Sequence, residues 1–202
     1  MISRSVDLHA RGHDVQVLRS LPEARNVVQG WMATNKITRP IVVLSTRTNT
    51  AHQWKNSDLM AWNNFANYAD EIGYDVVAIP DTALALAGQI PRLGNRSKTF
   101  FQGALDFDLR AALYDMAAVT LSTHGGPAMF NPFSHNRFGM FQGEAFDLGP
   151  EEFYRLWKVK WGEQFPWASA GQRVAYVADT EDNIKALFHE VMEAEISDAQ
   201  SG

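Results

Sequence analysis

The stretch VTLSTHGGP, residues 119–127, is the part of the sequence that decides the fold. Its first five residues are β-branched, apolar or small, which is typical of a buried strand. The strand then stops at a glycine pair and a proline, where bare backbone can approach a ligand closely. A helical turn starting at Pro127 would direct N–H groups toward an anion. The stretch therefore predicts a buried strand whose carboxyl end faces a small anionic ligand.

Similar short apolar runs recur on both sides of this stretch and alternate with helical patterns. The runs are PIVVLST at 40–46, YDVVAIP at 74–80, TFFQGAL at 99–105, RFGMFQ at 137–142 and RVAYVA at 173–178. Alternation of this kind is the order expected of βαβ units, in which helices connect parallel strands. We therefore predict an α/β fold, a Rossmann-like, mostly parallel sheet with helices on both faces.

Capping residues predict where the helices begin. The predicted caps are Asp58, Asp106 or Asp108, and Thr180. Gly73 is expected to end the helix that Asp58 starts, and residues 149–167 are predicted to form a helix with an aromatic-rich exit.

The domain boundaries follow from where this pattern begins and ends. Residues 1–38 fit it less well, although 15–19 could form a strand and 21–34 a helix. We expect them to be an N-terminal segment, either the edge of the same sheet or the remnant of a preceding lobe. Residues 39–196 are predicted to form the Rossmann-like domain, and 197–202 a frayed tail.

Composition excludes several classes of function. The 202 residues carry a net charge of −5, which does not favour nucleic acid as a partner. The absence of cysteine excludes disulfides and thiolate metal sites. His9 and His13 are separated by Gly12 and have no evident carboxylate partner, so we expect no metal site. No apolar run is long enough to span a bilayer and no secretion signal is evident, so a cytoplasmic location is expected.

Polar residues follow the predicted strands at the edge where ligands of open parallel sheets bind. The nominated positions are Arg47 and Asn49, Asp81 and Thr82, Gln102 and Gly103, and His124 to Pro127. Arg47 could bind a diphosphate through two hydrogen bonds. Other interpretations remain open: a simple tight turn for the glycines, an ion pair of Arg47 with Asp81, a turn-forming role for Asp81, and a local hydrogen bond for His124.

Three segments resemble one family. They are DFDLRAALYDMAAVTLSTHGGPAMF at 106–130, RPIVVLSTRTNTAHQWKNSDLMAWNNFANYADEIGYDVVAIPD at 39–81, and GEQFPWASAGQRVAYVADTEDNIKALF at 162–188. They are similar to the donor-binding, C-terminal half of GT-B glycosyltransferases, particularly the heptosyltransferase-like bacterial enzymes. The resemblance covers roughly residues 38–192.

The resemblance implies transfer of a sugar from a nucleotide-sugar donor to a glycan acceptor in surface-polysaccharide assembly, with the donor as substrate and no cofactor. Gly125, Gly126 and Pro127 would then line the pyrophosphate, and Arg47 would neutralise it. Arg47 and His124 are the expected catalytic residues. The expected donor-binding residues are Arg47, Asn49, Asp81, Thr123, Gly125, Gly126 and Pro127.

Two alternatives stay open beside this interpretation. The chain could be a non-catalytic module that binds a nucleotide or sugar phosphate together with a partner chain. It could also be a fucosyltransferase-like enzyme, because LSTRTNT at 44–50 resembles the strand and arginine that hold the donor in that group. A partner lobe or a homo-oligomer is compatible with either interpretation.

Overall fold

A computed structural model describes residues 2–48, 53–89, 92–143 and 149–194. Within these ranges, six strands form one sheet in which every neighbouring pair is parallel. The strands are β1 (Ile41–Ser45), β2 (Asp75–Ile79), β3 (Lys98–Thr99), β4 (Val119–Thr123), β5 (Phe138–Phe141) and β6 (Gln172–Ala175). Their order is β3-β2-β1-β4-β5-β6, so the chain moves outward from β1 on one side and from β4 on the other. The predicted α/β, Rossmann-like fold is confirmed.

Helices and short 3₁₀ segments connect the strands. The helices are α1 (Ile2–Ala10), α2 (Pro22–Thr34), α3 (Leu59–Glu71), α4 (Thr82–Leu86), α5 (Phe107–Met116), α6 (Pro150–Trp157) and α7 (Glu181–Glu193); the 3₁₀ segments are Gln53–Lys55, Gln102–Ala104 and Gly126–Phe133. Three predicted caps are confirmed, because the side chains of Asp58, Asp106 and Thr180 accept backbone N–H bonds at the starts of α3, α5 and α7. None of the helices in the described ranges is long and apolar enough to cross a membrane.

The core lies on both faces of the sheet because the strand side chains alternate between them. On one face, Val42, Leu44 and Leu121 pack with residues of α3 and α7. On the other face, Val43 and Val77 pack with residues of α2 and α5. A third cluster packs on β5 and β6 and includes residues of the N-terminal segment and of the stretch between α6 and β6. The helices therefore cover both faces, as predicted.

The N-terminal segment packs against the sheet without joining it. Residues 15–19 form no strand, so this prediction was wrong. Val15 is buried in the apolar cluster over β5 and β6, and the Leu18 N–H bonds to the carbonyl of Phe133 instead of to a strand. Val28 of α2 is fully buried in the cluster beneath β1. Val17 is 65% exposed, so only part of the apolar pattern that suggested a strand is explained by burial against the sheet.

Two predicted elements are shorter than expected. The predicted strand at 99–105 is reduced to Lys98–Thr99, because Phe101 already has helical backbone (φ −60°, ψ −41°) and the chain continues as the 3₁₀ segment Gln102–Ala104. The predicted helix at 149–167 ends at Trp157, because Lys158 adopts a left-handed conformation with φ 55°.

Candidate functional site

A pocket of about 200 Å³ opens outside the carboxyl ends of β1, β2 and β4. It lies where the strand order reverses between β1 and β4, which is the point where open α/β sheets bind ligands. Its lining is Ser45, Thr46, Arg47, Pro80, Asp81, Thr82, Arg110, Thr123, Gly125, Gly126, Pro127 and Ala128. Seven of the predicted site residues are therefore brought together here: Arg47, Asp81, Thr82, Thr123, Gly125, Gly126 and Pro127.

Arg47 enters this pocket on the loop after β1. Its main chain is fixed by Ser57, whose Oγ accepts the Arg47 N–H at 2.8 Å and whose N–H donates to the Arg47 carbonyl at 2.9 Å. Its guanidinium has no carboxylate partner among the described residues, and its buried Nε has no hydrogen-bond partner. The backbone of Arg47 is therefore held rigidly while its charged group remains available to a ligand.

Asp81 and Thr123 hold the pocket loops in place. The Asp81 carboxylate accepts the Ala83 N–H at 3.0 Å, which caps α4, and the Thr48 N–H at 3.2 Å, which ties down the β1 loop. Within the described part of the chain it makes no ion pair with Arg47. Thr123 Oγ1 lies 2.6 Å from Ser57 Oγ, so this hydroxyl pair links β4 to the loop that carries Arg47.

The glycine pair is not required by backbone conformation. Gly125 is extended, with φ −175° and ψ 171°, and Gly126 is outside the left-handed region. A Cβ added at Gly126 would meet nothing within 4 Å, and one at Gly125 would lie 3.5 Å from Arg47 Nη1. The tight-turn interpretation therefore loses its main physical reason. The predicted helical turn begins here, as the eight-residue 3₁₀ helix Gly126–Phe133.

Arg110 of α5 is the pocket residue that sequence reasoning missed. It is only 3% exposed, and its Nε donates to the Gly103 carbonyl at 2.7 Å. Its Nη1 donates to Ser45 Oγ at 3.0 Å and to Tyr114 Oη at 3.1 Å. No described carboxylate lies within ion-pair distance of it. The available signal was a single cation in the apolar run LRAALYDMAA.

His124 lies on the other side of the glycine turn and does not line this pocket. Its ring packs 5.3 Å from that of Trp157, in a separate apolar pocket of about 360 Å³ whose lining includes Ile2 and Met129. Burial, followed by the positive charges of Arg47 and Lys55, lowers the pKa of His124 to about 4. The imidazole is therefore neutral near pH 7.

The other nominated positions are placed differently. Gln102 is exposed and does not line the pocket, whereas Gly103 contributes through its carbonyl bond to Arg110. Asn49 lies outside the described residues. His9 packs edge-on against Trp167, and the described residues contain no group of three or more potential metal ligands.

No protein-family model and no curated protein sequence matches this chain. A solved structure described as the glycosyl transferase family 9 from Veillonella parvula is similar, with a TM-score of 0.53 and 14% sequence identity. The match covers 90% of this chain and 47% of that protein, so the chain spans about half the length of the protein that it matches. At this identity the likeness shows the fold alone.

Proposed function

We propose that the protein takes part in transferring a sugar from a nucleotide-sugar donor to a surface-glycan acceptor, and that the pocket between β1 and β4 holds the donor's diphosphate. The observation that carries this proposal is the arginine of the β1 loop, which faces a glycine turn and has no acidic partner within the described residues. The fold shared with a glycosyltransferase supports the same class of reaction.

The charge of the pocket suits the chemistry of the transfer. The bond from the anomeric carbon to the diphosphate oxygen breaks, the acceptor hydroxyl oxygen forms the new bond, and that hydroxyl loses its proton to a base. Negative charge develops on the departing diphosphate, so donors fixed in advance around it lower the barrier. Arg47 supplies charge-assisted N–H donors, and the open backbone at Gly125 and Gly126 lets the phosphates come close.

His124 fits a positioning role better than proton transfer. A pKa of about 4 makes it a weak base near pH 7, and its ring packs on Trp157 outside the pocket. Its backbone N–H donates to the Phe141 carbonyl at 2.7 Å, which continues the β4–β5 ladder up to the glycine turn. We therefore assign to His124 the support of that turn.

A panel of nucleotides and nucleotide sugars tests this proposal by thermal shift. A donor that binds only the folded chain must raise the melting temperature, and the same donor should yield a glycosylated product or slow hydrolysis. Arg47→Ala should weaken binding and therefore reduce the shift at a given donor concentration. Arg96→Ala is the matched control, because Arg96 is an exposed arginine outside the pocket. If no nucleotide or nucleotide sugar raises the melting temperature at millimolar concentration, the proposal is wrong.

A non-catalytic module that binds a nucleotide or sugar phosphate with a partner chain is the second candidate. One observation favours it: the carboxylate in the described lining, Asp81, is committed to two backbone N–H groups, and His124 lies outside. The described pocket thus binds anions better than it moves protons. This candidate predicts a thermal shift with nucleotides, but neither transfer nor hydrolysis of the sugar.

A further inference from the structure

The buried guanidinium of Arg110 needs an explanation that the fold does not supply. A buried cation is strongly disfavoured unless a negative group and a full set of hydrogen bonds compensate it. Arg110 is 3% exposed, and its side chain donates to one carbonyl and two hydroxyls, all of them neutral. In the described part of the chain its Nη2 donates to nothing. Its positive charge and two N–H groups are therefore left for a partner outside the fold.

The groups around Arg110 fix the orientation of its guanidinium but do not compensate its positive charge. Tyr114 is fully buried and lies one helical turn further along α5, and Ser45 is the last residue of β1. Together with the Gly103 carbonyl they hold the guanidinium from three directions. Such a constrained guanidinium loses little conformational entropy when it binds an anion.

Arg110 and Arg47 belong to one pocket and approach it from different elements. Arg47 follows β1 by two residues, and Arg110 is bonded to Ser45 at the end of the same strand. Both line the cavity, with Gly125 and Gly126 beside them. Two guanidiniums and one carboxylate give the described lining a net positive charge, and the carboxylate of Asp81 already accepts two backbone N–H bonds. The two guanidiniums therefore offer two separate anchoring groups for an anion.

We infer that Arg110 is a specificity-determining residue that binds the phosphoryl group of a diphosphate lying deeper in the pocket, while Arg47 binds the phosphoryl group nearer the opening. The pocket therefore selects diphosphates over monophosphates. The inference rests on the proposed function for the identity of the diphosphate as part of a donor, but the anion selectivity is a property of these residues themselves.

Calorimetric titration of the full chain with inorganic pyrophosphate and with orthophosphate tests the inference. We expect pyrophosphate to bind at least about tenfold more tightly, because only a diphosphate can accept charge-assisted hydrogen bonds from both guanidiniums through separate phosphoryl groups. Arg110→Gln should weaken pyrophosphate binding by about tenfold or more and bring the two affinities close together. Arg110→Lys keeps the positive charge but loses the planar guanidinium, so its pyrophosphate affinity should lie between those of the wild-type chain and Arg110→Gln. Tyr114→Phe removes one orienting bond and should have a smaller effect.

Arg137→Gln is the matched control, because Arg137 is a partly buried arginine bonded only to backbone carbonyls of α7. It should lower the melting temperature and leave both anion affinities unchanged. The inference is overturned if Arg110→Lys and Tyr114→Phe behave like this control, or if the wild-type chain binds orthophosphate as tightly as pyrophosphate. Pyrophosphate selectivity that depends on Arg110 without any nucleotide-sugar binding would sustain the inference and reject the proposed function. Nucleotide-sugar binding that is unchanged in the Arg110 variants would sustain the proposed function and reject the inference about Arg110.

Discussion

Arginines are bound differently at the two edges of the sheet, the amino edge where the parallel strands begin and the carboxyl edge where they end. At the amino edge, Arg39 is bound by the carboxylates of Asp70 and Asp75, and Arg137 donates to three carbonyls at the end of α7. At the carboxyl edge, neither Arg47 nor Arg110 has a described acidic partner. Arg39 and Arg137 therefore bind groups of the fold, whereas Arg47 Nε and Arg110 Nη2 have no hydrogen-bond partner among the described residues. This difference supports the proposal that the carboxyl edge binds a ligand.

The pKa shifts of Asp75 at the amino edge and His124 at the carboxyl edge have different causes. Burial alone would raise the pKa of Asp75 at the amino edge, but N–H bonds from Arg39 and Thr38, together with the Arg39 charge, lower it below its usual range. At the carboxyl edge, burial and the positive charges of Arg47 and Lys55 lower the pKa of His124. At the amino edge, the opposite charges of Arg39 and Asp75 compensate each other. At the carboxyl edge, the positive charge of Arg47 disfavours protonation of His124.

The largest effect is expected from Arg137→Gln at the amino edge. Three carbonyls at the end of α7 lose their donors, so the free energy of unfolding should fall by about 3 kcal/mol. Urea denaturation measures this loss, and nucleotide binding should not change. A loss below about 0.5 kcal/mol would show that the bonds from Arg137 to α7 do not stabilise the fold.

Arg47→Ala should produce the opposite pattern. Loss of a charge-assisted contact should weaken nucleotide-sugar binding by about 20-fold or more, while the free energy of unfolding changes little, because the side chain has no described polar partner to lose. Calorimetry and urea denaturation separate the two quantities. The same variant should raise the pKa of His124, measured by NMR, because one of the charges that depress it is gone. A large loss of stability with unchanged binding would place Arg47 among the structural arginines.

His124 should make the fold sensitive to acid. The unfolded chain protonates this imidazole near its ordinary pKa of 6.5, whereas the folded chain resists protonation until about pH 4. The free energy of unfolding therefore falls as the pH drops from about 7 toward 4, and the loss should reach about 2 kcal/mol at pH 5. His124→Gln lacks this titration, so the stability difference between the two proteins should shift by that amount between pH 8 and pH 5. Parallel stability curves would contradict the assigned pKa.

The smallest effects are expected at glycines. Gly126→Ala has room and needs no left-handed backbone, so it should stabilise the fold by about 0.5 kcal/mol while weakening nucleotide binding. Gly73→Ala, beyond the end of α3, should cost about 1 kcal/mol because its φ of +97° strains any side chain. Thermal denaturation with and without nucleotide checks both variants. If Gly126→Ala destabilises the fold, the glycine pair is required by the structure and not by a ligand.

Local chemistry made much of this architecture predictable. Apolar runs bounded by glycine and proline identified the strands, and Asp58, Asp106 and Thr180 marked the helix starts because capping depends on neighbouring residues only. The meeting of Arg47 with the glycine pair followed from a rule about parallel sheets. These features need no knowledge of long-range packing.

The rest depended on three-dimensional packing. Arg110 looks like an ordinary helix residue in sequence, and only the packing of α5 against β1 turns it toward the pocket. His124 follows Thr123 directly, so strand alternation sends their side chains to opposite faces, which separates the imidazole from the pocket. The run at 15–19 was wrongly predicted as a strand because its alternation of apolar and polar residues matches the period of a strand, although of its apolar residues only Val15 is buried and Val17 is 65% exposed.

A crystal structure of the chain with a bound nucleoside diphosphate tests the central claim most directly. The contrast between the two edges predicts both phosphoryl groups in the pocket between β1 and β4, with oxygens within hydrogen-bond distance of the Arg47 and Arg110 guanidiniums and beside the backbone of Gly125 and Gly126. A diphosphate bound elsewhere on the molecule, with these two arginines unengaged, would contradict it.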